Sequence, residues 1–156
     1  MTSIEKALSC GLKREDLATD LWRRSALLYK TAGALHKSAE AWLMAGDKSA
    51  AAELFFAAGD DPQAAELFFE CGRLAEAVTS AGRYLENSST KDFSHKIAAR
   101  LILAAAGSKS GDRAITSSLL REVRAELVSL DNDASQFQLG RAWESLARFG
   151  CRAKRP

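Results

Sequence analysis

The chain has 156 residues, of which 47% are hydrophobic and 27% are charged, and its formal net charge is +2. This composition fits one globular domain or one short solenoid with a sizeable core, and it argues against intrinsic disorder. Good helix formers dominate, only two prolines occur, and no run alternates β-branched or aromatic residues with polar ones. These features predict an all-α fold.

The N-terminal residues 1–6 lack the charged-then-apolar pattern of a secretory signal. No stretch approaches the roughly 18 apolar residues that a membrane span needs, so we expect no transmembrane segment. The three cysteines, Cys10, Cys71 and Cys151, are an odd number without CxxC spacing, which disfavours both a disulfide framework and a zinc site. We therefore expect a reducing, cytoplasmic location.

Apolar periodicity and turn residues predict nine helices in chain order. They are expected at residues 3–10, 14–32, 35–45, 48–57, 62–71, 74–85, 92–106, 112–129 and 134–149. We expect a single domain over residues 1–150, followed by a basic tail at residues 151–156. We interpret the tail as a solvated end, with contact to acidic protein, lipid or nucleic acid as the alternative.

Four glycines recur in steps of thirteen and define a short repeat over residues 33–85: Gly33, Gly46, Gly59 and Gly72. A glycine after a helix can take the left-handed conformation, and the aspartates that follow two of these glycines can cap the next helix. Each repeat is therefore predicted to be one helix of about ten residues and one tight turn, which makes neighbours antiparallel. Cys71 occupies the position before glycine that alanine fills elsewhere, so we interpret it as a packing residue and not a nucleophile.

The repeat units also share a pattern of small and aromatic residues. They read Ser-Ala-Glu-Ala-Trp-Leu at 38–43 and Ala-Ala-Glu-Leu-Phe-Phe at both 51–56 and 64–69. Adjacent aromatics lie about 100° apart around a helix, which gives an apolar arc wide enough for two neighbouring helices. The recurring Glu40, Glu53 and Glu66 are predicted to form a solvated edge.

The pattern Ala-Gly-Asp-x-x-x-Ala-Ala-Glu-Leu-Phe-Phe at residues 45–56 and 58–69 resembles the helical repeats of the tetratricopeptide superfamily. In particular, it resembles the short repeats of vesicle-attachment (SNAP-like) proteins and of coat or ciliary-transport scaffolds. The resemblance covers roughly residues 17–85, although two units span 26 residues instead of 34. It implies an α-solenoid of antiparallel helical hairpins with longer capping helices, and a protein-binding scaffold in trafficking or assembly.

Sequence motifs for catalysis are absent: no GxGxxG, GxxxxGK[ST], HExxH or GxSxG occurs. His36 and Glu40 form an i, i+4 pair, but one pair lacks the three or four ligands of a metal site, so we favour a surface pair. Glu66 and Glu70 are interpreted as exposed like charges and not as paired catalytic carboxylates. We expect no catalytic residue, no cofactor and no metal.

Three tryptophans could be core residues or anchors for a partner. The repeat places Trp42 at the same position as Phe55 and Phe68, which favours the core. Trp22 stands beside two arginines and is left open between the two roles. Trp143 lies within the last predicted helix.

The distribution of charge bears on the kind of partner. Residues 1–90 carry a net charge of −3 and residues 91–156 a net charge of +5, which would suit an acidic partner at the C-terminal end. The short helices contain Glu and Phe and almost no Lys or Arg, unlike a DNA-recognition helix. Nucleic-acid binding is therefore not expected.

These observations predict a non-catalytic scaffold or adaptor that docks a helix or an extended segment of another protein. The surface chosen from the repeat comprises Glu53, Glu66 and Arg73. The resemblance adds vesicle trafficking or transport-complex assembly, with any membrane association made through partners. The alternative is a structural subunit or fragment of a larger helical-repeat assembly; an enzyme on a helical scaffold is a third reading. The sequence leaves the partner and the oligomeric state open.

Overall fold

The computed structural model describes residues 14–87, 93–111 and 113–133, and every regular element within these ranges is a helix. This confirms the all-α class. The seven helices described are α1 (Arg14–Thr31), α2 (Leu35–Met44), α3 (Lys48–Ala58), α4 (Asp61–Glu70), α5 (Leu74–Asn87), α6 (Phe93–Ser110) and α7 (Arg113–Asp133). None of them is long and apolar enough to cross a membrane. The predicted helices at 3–10 and 134–149, Trp143 and the basic tail lie outside the described residues.

The helices α1 to α5 begin and end within two residues of their predicted bounds, but α6 and α7 each run four residues further. Gly107 was expected to lie beyond the end of α6. Instead the helix continues through it and ends at Ser110, and the next residue, Gly111, has a φ of 81°. In this last turn Ser110 Oγ donates a hydrogen bond to the Gly107 carbonyl at 2.9 Å. A single glycine inside a helix costs only about 1 kcal/mol, which tertiary contacts can offset.

The turns of the thirteen-residue repeat share one backbone geometry. The four repeat glycines have φ values of 74°, 82°, 80° and 79°, in the left-handed region that favours glycine. In each turn the N–H after the glycine donates to the carbonyl five residues earlier, at 2.9 to 3.0 Å: Ala34 to Tyr29, Asp47 to Trp42, Asp60 to Phe55 and Arg73 to Phe68. This bond closes a Schellman motif, so the predicted glycine turns are confirmed.

The starts of the repeat helices are less uniform than their ends. Asp47 Oδ1 accepts a hydrogen bond from the Ala50 N–H at 3.0 Å and caps α3, as predicted. Ala34 holds the same position before α2 and offers no side-chain cap. The helix α4 begins at Asp61, one residue earlier than predicted. Asp61 is buried, and its Oδ1 lies 3.5 Å from Arg83 Nη2 of α5.

Two compact units divide the chain after Asp60, and the single domain expected over residues 1–150 stays a prediction. In the described part of the first unit, α1 packs against α2 and α2 packs against α3. The core here is built mostly of alanine together with Leu54 and Phe55. The buried Ser38 of α2 donates from Oγ to the Ala26 carbonyl of α1 at 2.7 Å. Small side chains therefore bring these two helices close together.

The second unit contains α4 to α7. The helix α4 packs against both α5 and α6, α5 packs against α6, and α6 packs against α7. The large buried side chains include Phe68 and Phe69 of α4 and Ile97, Leu101 and Ile102 of α6. Arg100 of α6 joins α7 through Glu122, at 3.0 Å, and through Glu126.

The structure tests several predictions about individual side chains. Phe55 and Phe68 are buried, whereas Trp42 is only half-buried, so its expected place in the core is confirmed in part. Trp22 is exposed. The packing role predicted for Cys71 is wrong, because this side chain is exposed. It sits at the helix end next to Gly72, where the chain turns and the side chain points to solvent.

Candidate functional site

The three residues predicted to form a binding surface have different surroundings. Glu53 is exposed on α3 of the first unit, whereas Glu66 is half-buried on α4 of the second. Arg73, which lies between α4 and α5, is also half-buried. The predicted solvated edge is thus confirmed for Glu40 and Glu53, which are exposed, and not for Glu66.

Arg73 is held by its own neighbours in the second unit. Its Nε and Nη2 donate to Glu76 Oε1 at 3.0 and 2.8 Å, and its guanidinium carbon lies 4.7 Å from the centre of the Phe68 ring. The hydrogen bond from Arg73 is the main reason that the pKa of Glu76 lies below its ordinary value. Arg73 therefore links the start of α5 to an aromatic side chain of α4, and a partner would have to compete with these contacts.

His36 lies between two carboxylates on the first unit. Its Nε2 is 3.8 Å from Glu40 Oε1 and its Nδ1 is 3.6 Å from Asp60 Oδ2, while its ring meets the edge of Phe55 at 5.0 Å between ring centres. The two carboxylates face different nitrogens of the ring. A metal ion bound to one nitrogen would therefore lie near only one of the two carboxylates. Among the residues that the structure describes, no group of three or more His, Cys, Asp or Glu side chains is placed to hold a metal ion.

The second unit carries an open groove whose walls are α5 and α7 and whose floor is α6. Its volume is about 670 Å³. The side chains that line it are mainly aliphatic or small: Leu74, Ala75 and Val78 of α5, Leu103, Ala106, Gly107, Lys109 and Ser110 of α6, and Ile115 and Leu119 of α7. Lys109 and Ser110 are the polar members of this lining. We call this feature the α5–α7 groove.

The α5–α7 groove has chemically different ends. Helical spacing puts Arg100 on the same face of α6 as Leu103 and Gly107, and it puts Glu122 and Glu126 on the same face of α7 as Ile115 and Leu119. The Arg100 ion pairs thus lie further along the same helix faces, beyond the apolar lining. At the opposite end Lys109 and Arg113 are exposed near the turn between α6 and α7. An apolar ligand with an acidic end would fit this arrangement.

The α5–α7 groove was not predicted from the sequence, where apolar periodicity indicated only that a helix lies at residues 112–129. Val123 is buried, but Ile115 is 53% exposed and Leu120 is also exposed. The width of the apolar arc on α7 was the feature of the sequence that could have indicated the groove. Ile115, Leu119, Val123 and Leu120 span about 140° around α7, which is more than one neighbouring helix covers.

Comparison of the chain with family profiles, with curated proteins and with solved structures found no match.

Proposed function

We propose that this protein is a non-catalytic scaffold or adaptor that binds an amphipathic helix of a partner protein in the α5–α7 groove. The observation that carries the proposal is an open, aliphatic groove in which Ile115 of α7 leaves half of its surface exposed. Its lining offers one amine and one hydroxyl among aliphatic side chains and no acid–base pair for catalysis.

The dimensions of the groove suit a short helical segment. Its floor extends from Leu103 to Ser110 of α6, which is about 10 Å at 1.5 Å per residue. A partner helix could place two or three apolar side chains there, at i, i+3 or i+4, and i+7. Ala75, Ala106 and Gly107 leave room for the partner backbone to come close, in the way that small residues act at helix crossings.

The electrostatic surroundings favour an acidic partner. Lys109 is part of the lining and Arg113 lies just beyond it, and residues 91–156 carry a net charge of +5. Each large apolar side chain buried contributes about 1.5 to 3 kcal/mol, and association itself costs several kcal/mol. A groove of this size therefore supports a modest, reversible affinity, with complementary charge increasing the rate of association.

The wider setting rests on the repeat. The thirteen-residue units, their glycine turns and the resemblance to tetratricopeptide and SNAP-like proteins support an α-solenoid adaptor in trafficking or transport-complex assembly. We propose a cytoplasmic location, with contact to membranes made through partners. A structural subunit of a larger helical-repeat assembly is the second candidate, and the exposed apolar residues of α1 favour it.

The test is affinity capture of the tagged chain with two matched variants. Ile115→Glu puts a charge into the groove, whereas Val128→Glu puts the same charge on α7 away from the groove lining. Both side chains are exposed, at 53% and 59%, so both variants should fold. A photo-crosslinking residue at position 119 then identifies the peptide that occupies the groove.

The expected result is a partner that the native chain and Val128→Glu retain, that Ile115→Glu loses, and whose crosslinked peptide is an amphipathic helix with acidic residues. Charge reversal at Glu53 is a second control, because this residue belongs to the other unit. Equal binding by all variants, or a crosslink to no protein, would overturn the proposal.

A further inference from the structure

The helix α7 has an outer face that lies opposite the α5–α7 groove. Its centre is Arg124, which is about 180° around the helix from the groove residue Ile115. Five other exposed residues of the helix lie within about 60° of Arg124: Arg113, Ser117, Leu120, Arg121 and Val128. These six residues are called the α7 outer face below.

The α7 outer face is positively charged. Within the described residues, no carboxylate forms an ion pair with any of its three arginines. The nearest acidic residues along the helix, Glu122 and Glu126, lie about 160° around it from Arg124, and both pair with Arg100 of α6. The arginines of this face are therefore free to meet negative charge from outside the chain.

Two aliphatic side chains are interleaved with these arginines. Leu120 and Val128 are 43% and 59% exposed, and their eight-residue separation is about 12 Å along the helix. Asp131 is the next residue in this register, so the face ends at Val128. The outer side of a single helix is convex and has no walls to enclose a peptide or a small ligand. A broad, soft surface can cover it instead.

We propose that the α7 outer face binds directly to an anionic lipid bilayer. The guanidinium groups of the three arginines would meet lipid phosphates, while their aliphatic stems, Leu120 and Val128 enter the layer just below the headgroups. The α5–α7 groove lies on the other side of α7. Binding to the bilayer therefore leaves the groove open to a protein partner, and this contact is in addition to any membrane contact made through partners.

The mixture of charge and aliphatic surface favours a bilayer over nucleic acid. Phosphates of DNA or RNA would pair with the arginines but leave the two aliphatic side chains in water. A DNA-reading helix-turn-helix also crosses its two helices at a steep angle. Here α6 and α7 run antiparallel, because Thr116 donates to the Ala104 carbonyl near the turn and the glutamates further along α7 pair with Arg100.

The strength of binding follows from the number of basic residues. Each arginine close to an anionic membrane surface increases the binding constant about fivefold, so three arginines together contribute about a hundredfold. This attraction falls off within a Debye length, which is about 8 Å at physiological salt. The chain should therefore bind reversibly, only to membranes with anionic lipid, and more weakly as salt is added.

The first experiment is co-sedimentation of the full chain with vesicles of phosphatidylcholine, alone or mixed with phosphatidylserine. The native chain should bind only the mixed vesicles. Arg121→Glu combined with Arg124→Glu should weaken that binding at least tenfold. The matched control is Arg23→Glu combined with Lys37→Glu, which changes the net charge equally at exposed positions of the first unit and should retain most of the binding. All four side chains are exposed, so melting temperatures should stay near that of the native chain.

A second experiment separates the aliphatic contribution from the charges and the bilayer from the groove. Leu120→Ser combined with Val128→Ser should weaken vesicle binding about threefold or more at every salt concentration, because less apolar surface leaves water. Ile115→Glu should bind vesicles as the native chain does and lose the protein partner of the groove. Val128→Glu should do the reverse, so failure of one proposal is distinguishable from failure of the other.

Three results would overturn the proposal. One is a folded native chain that binds neither kind of vesicle, or both equally. Another is vesicle binding that survives Arg121→Glu with Arg124→Glu and is lost in the first-unit control, which would place the contact on another surface. The third is a native chain that binds duplex DNA, RNA or an acidic protein through these two arginines and does not bind the mixed vesicles.

Discussion

The helices α3 and α4 contain the same six residues, Ala-Ala-Glu-Leu-Phe-Phe, at 51–56 and 64–69, yet they have different surroundings. Both alanines, the leucine and the first phenylalanine are buried in each helix. The glutamate is exposed in α3 and half-buried in α4, and the second phenylalanine is half-buried in α3 and buried in α4. Within the described residues α3 packs against α2, whereas α4 packs against both α5 and α6.

The repeat thus has two kinds of position, those buried in both helices and those whose burial differs between them. The residues buried in both copies lie on one face, which any antiparallel neighbour covers. The residues that differ lie at the border of that face, where burial depends on whether a second helix is present. Four predictions test this distinction, in order of decreasing effect.

The largest effect is expected at the first phenylalanine, which is buried in both copies. Phe55→Ala and Phe68→Ala should each lower the free energy of unfolding by about 3 to 5 kcal/mol, because each removes a ring from a closed core. Urea denaturation measures the loss, and hydrogen exchange locates the helices that lose protection. A loss at one site several times that at the other would contradict the shared face.

Substitution of the second phenylalanine should lower the free energy of unfolding by different amounts in the two copies. Phe69→Ala should cost about 1 kcal/mol or more beyond Phe56→Ala, because Phe69 is 5% exposed while Phe56 retains contact with water. The same urea measurement compares them, and Phe→Leu at both sites controls for the change in shape. Equal losses would mean that the extra neighbour of α4 adds no stability at this position.

The glycine turns should respond alike in both copies, because their geometry is local. Gly59→Ala and Gly72→Ala should each cost about 1 to 2 kcal/mol, since both glycines have a φ near 80°. The control is Gly82→Ala within α5, where no atom lies within 4 Å of an added Cβ. It should instead raise stability by about 0.5 to 1 kcal/mol. Thermal melting distinguishes the opposite signs.

The smallest effect is expected at the start of the repeat helices. Equivalent positions there form a helix cap before α3 and an ion pair at the start of α5. Asp47 caps the Ala50 N–H of α3, whereas Arg73 pairs with the Glu76 carboxylate of α5. The pKa of Glu76 is lowered, so its pair stabilises the fold above the ordinary pKa of a glutamate and is lost as the pH falls through the lowered value.

Glu76→Gln should therefore remove a small part of the stability at neutral pH and have little effect once the native carboxylate is protonated. Because Glu76 is accessible to solvent, added salt should reduce the difference. Melting temperatures of the native chain and Glu76→Gln across the acidic range measure it. A difference that grows toward low pH would contradict the assigned sign.

Three features were not predicted from the sequence: the contacts of Arg73, the burial of Asp61 and the α5–α7 groove. Arg73 was chosen as a surface residue, but it contacts Glu76 and Phe68. Asp61 was expected to cap the next helix after the turn, but it is buried against Arg83 of α5. Apolar periodicity predicted the helix α7, but not that Ile115 lines an open groove. Apart from the local pair between Arg73 and Glu76, these contacts are with another helix, and the local pattern contains no information about the position of that helix.

Local sequence accounts for the all-α class, the ends of the short helices and the inward-facing residues of α3 and α4. These features depend on interactions within about one helical turn: the left-handed glycines, the Asp47 cap and the spacing of Ala, Leu and Phe. Packing between helices sets which borders of those helices are covered, leaves Cys71 exposed, and forms the open groove between α5, α6 and α7. Burial at a border depends on which neighbouring helices pack there, and that arrangement exists only once the helices have assembled.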